Sequence, residues 1–125
     1  MLKKIFLSIV LFMFILSCEK NSTGSIVGLP DVITNNVTEI TTTSATCGGK
    51  ILDDGGAEIT DRGVCWCRDE FPTINDKTTC DGCGTGSFIS RITGLTSETD
   101  YYVRAYAKND AGTNYGDAIK FTTFD

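Results

Sequence analysis

The sequence lacks histidine altogether and has little positive charge and little proline. Its 125 residues include no His, two Pro, and 11 Lys and Arg against 16 Asp and Glu. Without histidine, the chain has neither the commonest general base nor the commonest metal-binding side chain of proteins. We therefore expect no catalytic residue, no cofactor and no metal ion.

The shortage of positive charge excludes a second class of function. The net charge is −5, whereas nucleic-acid-binding proteins neutralise phosphates with clusters of Lys and Arg. We expect no nucleic-acid partner. The scarcity of proline and a hydrophobic content of 41% argue against a disordered chain, and the length is that of one folded domain.

Long hydrophobic runs are also missing, except at the beginning of the chain. Residues 5–16 form a hydrophobic run that only Ser8 interrupts, and Lys3 and Lys4 precede it. The run is too short for a membrane span, which needs about 20 helical residues. A short positive segment followed by such a run predicts a signal peptide over residues 1–17.

The end of this run resembles the lipobox of bacterial lipoproteins, because the small residue Ser17 stands directly before Cys18 and follows the hydrophobic run, although Leu16 departs from the small residue usual at its position. The resemblance implies cleavage before Cys18, lipidation of Cys18 and a membrane partner held through that lipid. Residues 18–29 are polar and contain glycine and serine, so they read as a flexible tether. We expect an outer-membrane lipoprotein of the cell envelope, on the periplasmic face or the cell surface. A plain secretory signal and an uncleaved anchor are the alternatives.

Residues 30–125 carry the pattern of a β-protein. Short segments with period-two alternation are rich in Thr, Val, Ile and Tyr and are separated by Gly, Asp and Asn. Seven short strands with frequent turns predict an all-β, immunoglobulin-like sandwich. The predicted strands cover residues 32–40 (with a break), 44–52, 59–67, 77–80, 87–92, 100–109 and 118–123.

The second half of this region resembles fibronectin type III domains. Leu95 stands six residues before Tyr101, and Val103, Ala105 and Asn109 follow. The resemblance implies a tyrosine corner, in which the ring of Tyr101 packs on the core and its hydroxyl bonds nearby backbone. Over about residues 30–123 the sequence is similar to fibronectin type III-like modules of lipoproteins and surface proteins from Gram-negative anaerobes. Such modules serve as spacers, linkers or binding units.

The cysteines that follow Cys18 are candidates for disulfide bonds in an oxidising compartment. Counting outward from the turn at residues 55–57 places Cys47 and Cys65 at similar heights on consecutive strands, so we predict that they are bridged across the core. Counting outward from residues 73–74 pairs Cys67 with Cys80, and Cys83 is the alternative partner.

Two other uses of these thiols stay open. The pairs Cys65/Cys67 and Cys80/Cys83 offer four thiolates, and Cys80-Asp-Gly-Cys83-Gly resembles a zinc knuckle. Cys80 and Cys83 could also form a redox-active dithiol of a small thiol–disulfide oxidoreductase. Such motifs usually begin a helix that lowers the thiol pKa, whereas here they stand in a glycine-rich loop.

An aromatic strip is the candidate binding surface. If Cys65 faces inward, alternation along the strands places the side chains of Trp66, Tyr102, Arg104 and Tyr106 together on an exposed face. Such a face would suit sugar rings or a surface protein. In the alternative arrangement Trp66 faces inward and Cys65 outward, and the bridge across the core fails.

These patterns predict a lipid-anchored, non-enzymatic interaction or spacer module of the cell envelope. The alternatives are a carbohydrate-binding or host-matrix-binding protein that uses the aromatic strip, and a thiol oxidoreductase or zinc protein that uses Cys80 and Cys83.

Overall fold

The computed structural model describes residues 26–125 and shows a two-layered β-structure. The strands are β1 (Asp31–Thr34), β2 (Ala45–Asp53), β3 (Asp61–Cys67), β4 (Lys77–Thr78), β5 (Gly86–Ile92), β6 (Asp100–Asn109), β7 (Gly112–Tyr115) and β8 (Ile119–Thr122). One sheet has the order β1-β2-β5. The other has the order β4-β3-β6-β7, and β8 also pairs with β6. The pairings between these strands are antiparallel. The predicted β-sandwich is confirmed.

The predicted signal peptide and Cys18 lie outside the described residues, as does the tether up to residue 25. Between residues 26 and 125, no helix is long and apolar enough to cross a membrane.

The last strand position of the second sheet is divided, which the sequence did not predict. Both β7 and β8 pair with the edge of β6 that β3 leaves free, so eight strands occupy seven positions. Thr34 marks the division: its Oγ1 accepts the Ala105 N–H at 3.0 Å, while the Gly116 N–H donates to the Ala105 carbonyl at 2.9 Å. A Cβ on residue 116 would lie 2.5 Å from Thr34 Oγ1, so the chain needs glycine there.

The core lies between the two sheets, where alternate side chains of each strand meet. Its buried cluster includes Ala45, Cys47 and Ile51 of β2, Val64 and Trp66 of β3, Phe88 and Ile92 of β5, and Val103, Ala105 and Ala107 of β6. The sheets approach each other closely at Gly49, where a Cβ would lie 2.6 Å from the Cβ of Ala105. Small residues at this point leave the large side chains to fill the space towards both ends of the sandwich.

The sandwich has two distinct ends. At the end where the described part of the chain begins, which we call the proximal end, the Gly28 N–H donates to the Gly55 carbonyl at 2.8 Å. Asn109 Nδ2 donates to the carbonyls of Gly28 and Asp54 at 2.8 and 2.7 Å. The chain is therefore fixed from Gly28 onward, within the predicted tether. At the opposite, distal end the Leu95 N–H donates to the Thr43 carbonyl at 2.9 Å. The ten residues of β6 run between these ends over about 30 Å.

The tyrosine corner implied by the resemblance is confirmed at the distal end. The Thr96 N–H donates to the Tyr101 hydroxyl at 2.9 Å. The Tyr101 ring stacks on Phe121 with a centroid separation of 5.8 Å, and Leu95 and Tyr101 are both buried. The corner thus fixes the segment that enters β6 against the core.

The corner predicts a difference between two adjacent tyrosines. Tyr101→Phe removes only the hydroxyl that holds Thr96, so the free energy of unfolding should fall by about 1 kcal/mol. Tyr102→Phe is the matched control, because this residue is only half-buried and lies outside the core cluster. Urea unfolding of both variants measures the difference. An equal loss in the two proteins would contradict the role of the corner.

Candidate functional site

The structure corrects the predicted orientation of β3. Val64 and Trp66 point into the core, and Trp66 is only 6% exposed. Cys65 therefore points to the outer face of its sheet, where its Sγ contacts the Arg104 carbonyl at 3.6 Å. The prediction of an inward Cys65 and an outward Trp66 is wrong. The physical reason is that the indole has the larger apolar surface to bury.

The outer face of β3 and β6 is covered by the loop of residues 68–76. Arg104 Nε donates to the Pro72 carbonyl at 2.6 Å, and its guanidinium carbon lies 4.0 Å from the ring centroid of Tyr115. The Ile74 N–H donates to the Tyr115 hydroxyl at 3.1 Å. Arg104 therefore holds the loop down on the sheet and is not free to contact a ligand.

Tyr106 is also unavailable on this face. It is 3% exposed, and its hydroxyl donates to the Thr79 carbonyl at 2.7 Å. The ring lies beside Gly63, its partner in the register, where a Cβ would come within 2.2 Å of the Thr79 carbonyl oxygen. With Trp66 inside, Arg104 covered and Tyr106 buried, the predicted exposed strip of Trp66, Tyr102, Arg104 and Tyr106 does not exist. Tyr102 and Arg104 stay half-exposed, and of these two Arg104 is engaged with Pro72 and Tyr115.

The predicted disulfides are absent, and both Cys47 and Cys65 carry free thiols. Cys47 lies in the core, whereas Cys65 lies on the far side of β3, so the β3 backbone separates the two sulfurs. This corrects the predicted Cys47–Cys65 bridge.

The pairing of Cys67 with Cys80 or Cys83 is corrected by the register of β3 and β4. Thr78 lies opposite Cys65 and Lys77 opposite Trp66. The ladder continues as the Asp81 N–H donates to the Arg62 carbonyl and the Gly84 N–H to the Ile59 carbonyl. Cys67 is thus level with Asp76 and four positions from the level of Cys80, or about 13 Å. A disulfide needs Cα atoms closer than about 7 Å, and Cys83 is farther still along the ladder.

The chemistry of the thiols does not fit a redox site. Burial raises the pKa of Cys47 and Cys67, and it raises the pKa of Cys65 to about 12. Cys80 is exposed, but its Sγ donates to Asp61 Oδ1 at 3.1 Å, and this hydrogen bond raises its pKa. A redox-active cysteine needs the opposite shift, because the thiolate is the nucleophile.

The four thiols proposed as zinc ligands do not converge either. Cys65 and Cys67 lie towards the distal end of β3, and Cys80 and Cys83 lie along its proximal half. Within residues 26–125, no group of three or more Cys, Asp or Glu side chains is placed to hold a metal ion.

Arg62 fixes the glycine-rich loop of residues 81–86, a role that the sequence analysis missed. Its Nε donates to the Asp81 carbonyl at 3.1 Å, and its Nη1 donates to the carbonyls of Gly84 and Thr85 at 3.1 and 2.9 Å. The guanidinium also lies over the Phe88 ring at 5.2 Å. The only signal in the sequence is an arginine at an inward position near the beginning of a strand, and the glycine-rich loop that it binds begins 19 residues later.

A polar cluster beside this loop joins the two sheets at their open side. Asp81 accepts hydrogen bonds from Thr79 Oγ1 at 2.8 Å and from the hydroxyl of Ser90. Ser90 is almost fully buried between Phe88 and Ile92 on the inner face of β5. The cluster satisfies this buried hydroxyl and connects β5 to the segment after β4.

One concave site, which we call the distal cleft, lies at the distal end, where β3, β4 and β6 of the second sheet meet the loops that contain Arg68 and Leu95. It has a volume of about 420 Å³, within the usual range of small-molecule sites. Apolar parts of Trp66, Leu95 and Tyr101 form its floor, and all three are largely buried. The remaining lining consists of Cys67, Arg68, Asn75, Asp76, Lys77 and Gly94.

The rim of the distal cleft carries two cations. The two ion pairs found in residues 26–125 are Arg91–Glu39 and Lys120–Asp100, so neither Arg68 nor Lys77 belongs to one. The guanidinium of Arg68 lies 5.9 Å from the ring centroid of Tyr101. Asp76 is the one rim carboxylate, and its Oδ2 accepts the Thr73 N–H at 2.8 Å. The cleft therefore combines an apolar floor with a net positive rim.

The contact between Cys80 and Asp61 predicts a change in thiol reactivity. Asp61→Asn removes the carboxylate that stabilises the protonated thiol, so the pKa of Cys80 should fall and the thiolate fraction near neutral pH should rise. Alkylation of Cys80 in the reduced native protein should be faster, as measured by mass spectrometry of the modified peptide. Asp110→Asn, with the same change in charge, is the control. An unchanged rate at Cys80 would show that Asp61 does not govern this thiol.

Comparisons with known proteins identify the fold and nothing finer. No protein-family model matches the chain, and no curated protein sequence matches it. Among solved structures, it is similar to the sixth fibronectin type III domain of human fibronectin type III domain containing protein 3, with 23% identity and a TM-score of 0.55; the match covers 80% of this chain and 91% of that one.

Bacterial and more distant human domains show the same architecture. The sensor domain of the anti-sigma factor RsgI4 from Pseudobacteroides cellulosolvens is 16% identical over 79% of this chain and 98% of that one, with a TM-score of 0.55. A fibronectin type III domain of the human KIAA0970 protein is 13% identical over 86% of this chain and 82% of that one, with a TM-score of 0.53. The described part of the chain therefore has a fibronectin type III-like fold.

Proposed function

We propose that the chain is a lipid-anchored, non-enzymatic interaction module of the bacterial cell envelope, tethered at its proximal end and presenting the distal cleft away from the membrane. The observation that carries this proposal is the opposite placement of the N-terminal attachment and the cleft. Residue 26 enters the body beside Gly55 and Asn109, whereas Trp66 and Tyr101 line the cleft at the other end of β3 and β6.

The geometry of the tether supports this orientation. From Cys18 to Ile26, a fully extended chain can reach no farther than about 28 Å. A lipid on Cys18 would therefore keep the proximal end near the bilayer, while the length of β6 separates the distal cleft from it. Anchoring by several acyl chains, as in outer-membrane lipoproteins, would be far firmer than anchoring by one.

Two features support binding as the function. The raised pKa values of four thiols and the lack of histidine leave no evident nucleophile–base pair. The sensor domain of RsgI4 shows that this fold serves as a sensor domain in another bacterial protein. A spacer would need no cleft, so the distal cleft favours an interaction with an envelope glycan or a surface protein.

Anchoring at Cys18 is tested by Cys18→Ser. The variant lacks the thiol that would accept the lipid, so it should leave the membrane fraction or accumulate with its signal peptide uncleaved. Cys83→Ser is the control, because it removes an exposed thiol from the folded body and should stay with the membrane. Fractionation and intact mass measure both results. A Cys18→Ser protein that is processed and retained like the parent would refute the lipid anchor.

The orientation is tested with Trp66, the only tryptophan of the chain. When the protein is inserted into vesicles whose lipid headgroups carry a nitroxide quencher, the fluorescence of Trp66 should be quenched only weakly. A variant with Trp66→Phe and Leu29→Trp moves the fluorophore to the proximal end and should be quenched more strongly. Equal quenching, or stronger quenching of Trp66, would contradict a cleft that faces away from the membrane.

A further inference from the structure

The distal cleft gathers cations in an acidic protein. The chain has a net charge of −5, and several of its arginines and lysines already have partners within residues 26–125. Arg62 binds loop carbonyls, Arg104 binds Pro72, and Arg91 and Lys120 form ion pairs. Arg68 and Lys77, which both line the cleft, belong to neither ion pair of this part of the chain, and Arg68 lies over the ring of Tyr101 in the cleft itself. The rim is thus suited to an anionic group.

A small inorganic anion would match the rim of the cleft but not its apolar floor. Trp66, Leu95 and Tyr101, each less than a tenth exposed, contribute small apolar patches to the floor, which an inorganic phosphate or sulfate would leave uncovered. Asn75, on the rim, offers an amide that both donates and accepts hydrogen bonds, as hydroxyl groups require. A ligand that matches all three features has an apolar face, several hydroxyl groups and one negative charge.

We propose that the distal cleft binds an acidic sugar, namely a pyranose that carries a carboxylate, as uronic acids do. The C–H face of the ring would lie on Trp66 and Leu95, with the carboxylate between Arg68 and Lys77 and the hydroxyls towards Asn75. The volume of about 420 Å³ suits a ligand of this size. This inference rests on the proposed function, because it names the ligand class of the interaction surface described there.

The proximal end provides an internal contrast. A second cavity there, with a volume of about 460 Å³, is lined by Asp54, Gly56, Ala57, Glu58, Ile59, Gly84 and Thr85. Its only charged side chains are carboxylates, so it would repel an acidic sugar. Of these two cavities, only the distal cleft has a charge complementary to an acidic sugar.

Fluorescence of Trp66 reports binding, because this residue lies in the cleft and is the sole tryptophan. The full-length protein is extracted in a zwitterionic detergent without sugar groups and titrated with methyl β-D-glucuronide. We expect a saturable change in emission with a Kd on the order of 1 mM or tighter, and weaker binding at high salt. Methyl β-D-glucoside tests the ring without the charge, and acetate tests the charge without the ring. Both should bind at least about tenfold more weakly than the glucuronide, which corresponds to about 1.4 kcal/mol.

Variants locate the site. Arg68→Gln and Lys77→Gln should each weaken glucuronide binding about tenfold, a loss of about 1.4 kcal/mol. Lys108→Gln removes the same charge from an exposed position at the other end of the sandwich and should leave binding unchanged. Urea unfolding of each variant shows whether the fold is retained.

Several results would overturn the inference. These are no saturable response to the glucuronide, equal binding of the neutral glucoside, equal binding of acetate, or an equal loss in Lys108→Gln. The titration does not depend on the lipid. If the parent protein is retained by the membrane but shows no saturable response to the glucuronide, the proposed ligand is refuted and the proposed lipid anchor is not. If the protein binds the glucuronide but the Cys18→Ser variant is retained by the membrane like the parent, the lipid anchor is refuted and the proposed ligand is not.

Discussion

The alternation of side chains along β3 is the constraint on which the rest of the structure depends. Because successive residues of a strand face opposite sides, one choice of face decides the position of Val64, Cys65, Trp66 and Cys67 together. With Trp66 inside, the indole fills the distal part of the core and its edge becomes part of the cleft floor. The same choice places Cys65 outside, where burial under the loop of residues 68–76 raises its thiol pKa to about 12.

Polar side chains of the strands fix the loops that surround this core. Arg104 binds the loop of residues 68–76 through the Pro72 carbonyl, and Arg62 binds the loop of residues 81–86 through three carbonyls. Thr34 extends from the first sheet to the Ala105 N–H in the second, at the point where the last strand position is interrupted. Some backbone groups have no partner within the sheets. These contacts provide each of them with a hydrogen-bond partner inside the protein.

The features that depend on local sequence pattern were predicted correctly. The features that depend on which face of a strand is buried, or on the register between strands, were not. Period-two alternation placed the strands, and the spacing of Leu95 and Tyr101 predicted the corner that Thr96 completes. Alternation alone does not say which face of β3 is buried, so the predicted orientations of Trp66 and Cys65 were the opposite of the observed ones. The predicted disulfide and aromatic strip depended on those orientations and are wrong for the same reason. The register of β4 was missed because the turn is centred nearer residue 71 than residue 73. The distal cleft brings together residues from β3, β4, β6 and two loops, a juxtaposition that no local pattern encodes.

Hydrogen bonds and packing hold the rim and the floor of the distal cleft in place. Its rim residues Asn75 and Asp76 belong to a turn in which the Asp76 N–H donates to the Thr73 carbonyl at 2.9 Å while the Asp76 carboxylate accepts the Thr73 N–H at 2.8 Å. The same loop is held at Ile74 by the Tyr115 hydroxyl, and the floor is fixed by the corner at Tyr101 and by the packing of Trp66. A ligand that enters such a site does not have to order the loop, so less of its interaction energy is spent on conformational entropy. For the interaction proposed above, this rigid support from the sheets would lower the entropic cost of binding at the distal cleft.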